Sequence, residues 1–275
     1  MRTLALLCVL LSAATAHADE AATYYHQAMV YKNAGKLEDA IKALKQAISV
    51  REDYAAAHFS LGILYRQRKE NEKAIRHLER ATQIDGKNAQ AHYSLGLAYH
   101  QAGRIDDSEK SLRTAAKLAP KDDQVQSALG TMLIRKDPKQ AIPYLLAAVT
   151  AKPGDAAYNH SLGLAYRKAN DNKKAEQYLL KSASLKEDAT TSFDLGVLYR
   201  RMDKKEKAIQ RYEEAIRLDP KLAAAYWDVA HLYSQAKREV DAIDSYEKYL
   251  ELTKGKSADA EIARKRIKEL KGLKK

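Results

Sequence analysis

The chain of 275 residues carries 48 Lys and Arg against 36 Asp and Glu, for a formal net charge of +12, and 31% of its residues are charged. One cysteine, Cys8, leaves no means of forming an intrachain disulfide or a thiolate metal centre. Beyond the first eighteen residues no stretch is apolar enough to span a bilayer; the longest apolar run, Ala141 to Ala151, is interrupted by Pro143 and Tyr144.

The first eighteen residues read as a secretory signal. Arg2 supplies a short positive region, Leu4 to Ala14 is apolar, and Ala16-His17-Ala18 is a small-x-small cleavage site followed at once by Asp19 and Glu20. An uncleaved anchor is the alternative, but the apolar run is short for a membrane span. Leu7 rather than a small residue precedes Cys8, so no lipid anchor is read, and cleavage after Ala18 leaves a cysteine-free product. The expected destination is a bacterial periplasm. Nucleic acid is not an expected partner of an exported protein, whatever its positive charge.

From Ala21 onward one pattern recurs seven times, about every 34 residues: Leu-Gly-x-x-Tyr, a short spacer, then Ala-x-x-x-Leu/Tyr-x-x-Ala. A fixed period of this length signals stacked supersecondary units. The first unit, 21–54, carries Ala28, Tyr31, Gly35, Ala40, Leu44 and Ala47. The second, 55–88, has Leu61, Gly62, Tyr65, Ala74, Leu78 and Ala81. The third, 89–122, keeps Leu95, Gly96, Tyr99, Leu112 and Ala115, with Ser108 where Ala is usual.

The fourth unit, 123–155, is one residue short. Asp137-Pro138 makes a helix start there, Leu133 replaces the tyrosine, and Pro143 removes a hydrogen bond further in. The expectation is a bend or softer joint, or else a kink absorbed locally. The fifth unit, 156–188, keeps Leu162, Gly163, Tyr166, Ala175 and Leu179 and has Ser182 for the last alanine. The sixth, 189–222, is nearly ideal, and the seventh, 223–256, keeps Ala230, Tyr233, Ala242 and Tyr246.

A last segment, 257–275, reads as a capping helix and basic tail. Ser257 is placed to cap it, Ala260, Ala263, Ile267 and Leu270 form its apolar stripe, and Arg264, Lys265, Lys268 and Lys271 face solvent. From Lys254 to Lys275 there are nine Lys or Arg against three Asp or Glu. Such a tail suits anionic lipid headgroups or an acidic glycan, or merely complements the helix dipole.

Each unit reads as two antiparallel helices, since both halves of the motif place their residues on one helical face. A glycine inside a helix costs about 1 kcal/mol relative to alanine. Five of the seven units accept that cost, which implies close packing of the two helices at that point.

These residues resemble the tetratricopeptide repeat family across essentially the whole exported chain. The resemblance implies an all-α fold: an α-solenoid, a right-handed superhelix of seven helix-turn-helix repeats plus a C-terminal capping helix. It also implies a concave groove lined by the first helix of each repeat. The fifth residue of each unit on that face is Tyr25, Phe59, Tyr93, Ser127, His160, Phe193 and Trp227, a row that holds both phenylalanines and the only tryptophan. Four residues on come Met29, Ile63, Leu97, Thr131, Leu164, Val197 and His231. Lys32, Arg66, Arg135, Arg167, Lys168, Arg200 and Arg201 follow as a basic rim. None of these positions holds Asp or Glu, although the chain has 36 of them.

The functional expectation is a groove with an apolar floor and a basic rim, accepting a peptide with acidic character or a terminal carboxylate. The competing reading packs the apolar rows against neighbouring helices and leaves the cations as helix-end charges. His58 and His92 recur at one repeat position, too far apart to share a metal. The triplet Asn159-His160-Ser161 lies within an expected helix and is discounted as a glycosylation site. Neither a His-Glu-x-x-His motif nor a phosphate loop nor a nucleophile elbow is present, so neither catalysis, a cofactor nor a metal is expected. The expected role is a periplasmic scaffold holding a segment of a partner protein in envelope assembly or secretion. The alternative is an acidic-polysaccharide-binding export factor.

Overall fold

The computed structural model describes residues 19–272. The signal segment with its cleavage site, Cys8 and the last three residues lie outside them. Among the described residues every regular element is helical, and no helix is long and apolar enough to cross a membrane. The chain divides after Leu129 into two compact units.

The first unit holds α1 (residues 19–33), α2 (Leu37–Val50), α3 (Ala55–Gln67), α4 (Asn71–Ile84), α5 (Ala89–Gln101), α6 (Ile105–Leu118) and the start of α7 (Asp123–Leu133). The second holds the end of α7, then α8 (Pro138–Ala151), α9 (Ala156–Lys168), α10 (Asn172–Leu185), α11 (Ala189–Arg201), α12 (Lys205–Leu218), α13 (Ala223–Gln235), α14 (Glu239–Leu252) and α15 (Ala260–Gly272). Successive helices pair as hairpins: α3 with α4, α5 with α6, α9 with α10, α11 with α12, α13 with α14.

Five of the hairpins close at the motif glycine, and the first and seventh have Ala28 and Ala230 in its place. A Cβ built on Gly62 would lie 2.6 Å from Leu78 Cγ, on Gly96 2.7 Å from Leu112 Cγ, and on Gly163 2.7 Å from Leu179 Cγ. In the sixth repeat the Tyr212 ring fills that place, 2.6 Å from a Cβ on Gly196. These leucines and Tyr212 are completely buried. Burial of such side chains in every hairpin, at about 1.5–3 kcal/mol each, outweighs the cost of the helical glycine.

The motif tyrosine has two uses. Its carbonyl accepts the bond that ends the first helix: Glu70 N–H to Tyr65, Arg104 to Tyr99, Asp171 to Tyr166, Lys204 to Tyr199 and Arg238 to Tyr233, all at 2.9–3.0 Å. That closure needs a left-handed residue. Gly103 provides it at φ 76°, but Lys69, Asn170, Asp203 and Lys237 adopt it without being glycine. Its hydroxyl ties repeats together. Tyr233 donates to Glu213 of the preceding repeat at 2.6 Å, and Tyr99 likewise donates to Glu79. Burial, reinforced by Glu176, pushes the Tyr199 hydroxyl up to about 12.

The fourth repeat has Leu133 where the tyrosine would stand, so it lacks the hydroxyl. Its turn is shorter: Asp137 N–H bonds directly to the Leu133 carbonyl at 2.8 Å, and the Asp137 side chain caps Gln140 N–H. Helix α8 continues through Pro143 to Ala151. At the C-terminus one expectation fails. Helix α15 begins at Ala260, and the buried Ser257 hydroxyl has no hydrogen-bond partner, so Ser257 is not its cap. Three apolar positions cover the end of the array as expected, with Ala260, Ala263 and Leu270 buried. The tail cations are largely paired: Arg264 with Glu261, Arg266 with Glu269, and Lys271 with Glu247 at 2.7 Å.

Replacement of Gly163 by alanine should destabilise the protein by about 1–2 kcal/mol, because the new methyl meets the Leu179 side chain and, at 3.1 Å, its backbone nitrogen. Gly154→Ala, with open space around its Cβ, is the control and should leave the urea midpoint unchanged.

Candidate functional site

The first helix of each hairpin buries the Leu-Gly-x-x-Tyr side against its partner, and this leaves the fifth position at the edge of that contact and turns the ninth further round. The structure places Tyr25, Phe59, Tyr93 and Ser127 of the first unit half-buried, and likewise His160, Phe193 and Trp227 of the second. The row is neither free nor sealed. Tyr25 leans on Tyr54 with ring centroids 5.2 Å apart, and Phe193 on the buried Tyr212 at 5.5 Å. Trp227 packs on Tyr249 at 5.0 Å and on His231 at 4.6 Å. One edge of each of these rings therefore packs against neighbouring aromatics while part of its surface stays open. Met29, Ile63, Leu97, Leu164, Val197 and His231 are also half-buried, and Thr131 is exposed.

The cations do not behave as one set. Lys32, Arg135 and Lys168 are exposed. Arg167 is only 16% exposed, and its Nη2 lies 2.9 Å from Asp194 Oδ1; the other oxygen of Asp194 lies 2.8 Å from His160 Nε2. Arg200 repeats the pairing one repeat later, with Nη1 3.3 Å from Asp228 Oδ1. Burial holds the Asp228 carboxyl above its ordinary range, with Arg200 pulling it back. Arg201 donates through Nη1 to the carbonyl of Arg167 at 2.8 Å and also to the Asn170 side chain. It completes a helix end of the preceding repeat. Arg66 is half-buried, and its Nε is buried without a partner.

The expectation of a face without carboxylates therefore fails in the second unit. Asp194 and Asp228 occupy the sixth position of their repeats, beside the fifth-position row and outside the rows read from the sequence. The signal was in the spacing. Arg167 precedes Asp194 by one repeat less six residues, and Arg200 stands in the same relation to Asp228. His160 is likewise held by a hydrogen bond to Asp194 rather than as free floor.

His58 meets His77 of the same hairpin, not His92, with their Nδ1 atoms 3.1 Å apart, while His58 Nε2 contacts the Glu52 carbonyl. Burial together with the neighbouring His58 lowers His77 to about 4, so it is neutral at pH 7. Among the described residues no three His, Cys, Asp or Glu gather as metal ligands.

Helix hairpins of this motif, stacked and closed at glycine, define a helical-repeat protein, and the family comparison is specific. Models described as TPR repeat match residues 28–67, 62–103 and 196–236, and models described as tetratricopeptide repeat match 89–122 and 135–190. The chain belongs to the tetratricopeptide repeat family. No curated protein matches it.

Among solved structures, YrrB, described as a TPR protein with an unusual peptide-binding site, is 22% identical over 72% of this chain and 99% of its own, with a TM-score of 0.62. The pilF protein of Pseudomonas aeruginosa is 19% identical over 80% of this chain and 99% of its own, with a TM-score of 0.63. MamA of Desulfovibrio magneticus RS-1 is 24% identical over 61% and 96%, with a TM-score of 0.58. At these identities the likeness is one of fold.

Asp194 is the anchor of the second unit's polar cluster. Asp194→Ala strands Arg167 in a largely desolvated place and should cost about 3 kcal/mol of stability. Adding Arg167→Met to that variant should recover more than half of the loss, as read by urea denaturation in a double-mutant cycle.

Proposed function

We propose that the protein is an exported interaction scaffold that holds a segment of a partner protein against the first-helix faces of its repeats. The observation that carries this reading is the half-buried row Tyr25, Phe59, Tyr93, Phe193 and Trp227. Aromatic rings wedged at one edge lose little entropy on binding and offer much apolar area, as interface anchors do. Membership of a family of protein-binding repeats supports it, as does the fold shared with YrrB and its peptide-binding site. The signal-like first eighteen residues support a periplasmic setting, and with it a role in envelope assembly or secretion. The work assigned to the protein is binding and positioning, not chemistry.

A photoactivatable phenylalanine analogue installed at Phe59 or Phe193 in the native cells tests this reading. Adducts with an envelope protein are expected at both positions. None are expected at Lys110 or Glu206, which are exposed on the second helices α6 and α12. The recovered chain should begin at Asp19. Adducts confined to the control positions would overturn the groove. A cytoplasmic chain beginning at Met1 would overturn the setting, and adducts with an acidic polysaccharide alone would favour a glycan-binding role.

A further inference from the structure

The Arg–Asp pairs of the second unit expose a gap in the first. In that pairing the arginine is the twelfth residue of one repeat and the aspartate is the sixth of the next: Arg167 with Asp194, Arg200 with Asp228. Arg66 is the twelfth residue of the second repeat, so its counterpart position is Ser94. The neighbouring first helices α3 and α5 touch, as α9 and α11 do where Asp194 reaches Arg167. Ser94 is buried, at 4% exposure, and brings no charge. Among the described residues Arg66 has no ion pair, and its Nε is buried without a hydrogen bond. An arginine with a buried, unsatisfied donor is costly to hold in that state.

We infer that Arg66 is a docking point for a carboxylate of the bound peptide, which takes the place that Asp194 and Asp228 take within the chain itself. This rests on the groove reading above and assigns its polar anchor. The recognition is chemically complete. The guanidinium has donors in a fixed fork suited to a carboxylate. Phe59 and Tyr93 stand half-buried at the fifth positions of the same two repeats, and Ile63 and Leu97 at the ninth. An apolar side chain adjoining the carboxylate would lie on them. Lys32 occupies the twelfth position one repeat earlier, opposite Ser60, and gives the first unit a second cation that no internal aspartate neutralises at that position. The second unit, whose arginines carry their own carboxylates, offers no such anchor at Arg167 or Arg200. Among the twelfth-position cations, those that face no aspartate at the sixth position of the next repeat, Lys32 and Arg66, thus lie in the first unit.

The carboxylate can come from an acidic side chain or from a chain terminus, and small probes separate the two. The Nε–H resonance of Arg66 in the full-length 15N-labelled protein, assigned through Arg66→Lys, is followed by NMR. The probes are N-acetyl-phenylalanine, N-acetyl-aspartyl-phenylalanine amide and the uncharged control N-acetyl-phenylalanine amide. The first two should shift the Arg66 signal saturably, at least tenfold more strongly than the control. The stronger of the two names the source. Ser94→Asp, which supplies an internal carboxylate, should abolish the shift, whereas the uncharged Ser94→Asn should retain it. Asp194→Ser should create a carboxylate response at Arg167.

A silent Arg66, or a response that is equal for the amide or survives Ser94→Asp, overturns the inference. If the Phe59 ring signals still move with all three probes, the groove stands and only its carboxylate anchor falls. If they do not move either, both fall.

Discussion

The close approach of two helices at one small residue governs this molecule. Gly62, Gly96, Gly130, Gly163 and Gly196 each leave room for a leucine or tyrosine of the second helix to lie against bare backbone. That contact fixes the rotation of the first helix about its own axis. Once the eighth residue of a repeat faces inward, the fifth must lie at the edge of the core, and the twelfth must sit near the sixth residue of the following repeat. The half-buried aromatic row and the Arg–Asp pairs are consequences of that rotation.

Coupling between repeats is carried by polar groups as well as by apolar packing. The tyrosine hydroxyls reach back one repeat to Glu79 and Glu213, and Asp194 gathers Arg167 and His160. Largely buried ion pairs of this kind add little net stability, since desolvation offsets attraction, but breaking one leaves an uncompensated charge. Their value here is register, because each pair closes only if adjacent repeats stack in one alignment. The exposed i, i+3 pairs of α15 contribute little to that alignment.

The repeat and its helix pairs were legible because period and face are carried by local spacing: Leu61, Gly62 and Tyr65 define a stripe without reference to anything distant. The aromatic row was legible for the same reason. Three other features were not. Asp194 and Asp228 became part of the face only through stacking, which brings position twelve against position six of another repeat. The His58–His77 pair needs the hairpin to bring two helices together. The start of α15 at Ala260 rather than after Ser257 follows a turn in which Lys254 and Gly255 are both left-handed, which the spacing of the apolar stripe does not reveal.

A surface that is half core and half open is the physical basis of the proposed binding role, and the composition allows that surface to be observed without altering the protein otherwise. The chain contains two phenylalanines, Phe59 and Phe193, one in each compact unit and both in the row. Incorporation of 4-fluorophenylalanine therefore gives two 19F resonances, and a soluble gadolinium chelate reports the solvent exposure of each. Two signals broadened to an extent between that of a buried ring and that of free 4-fluorophenylalanine are the expected result. A ring that the chelate leaves untouched, or one as sensitive as the free amino acid, would contradict the account.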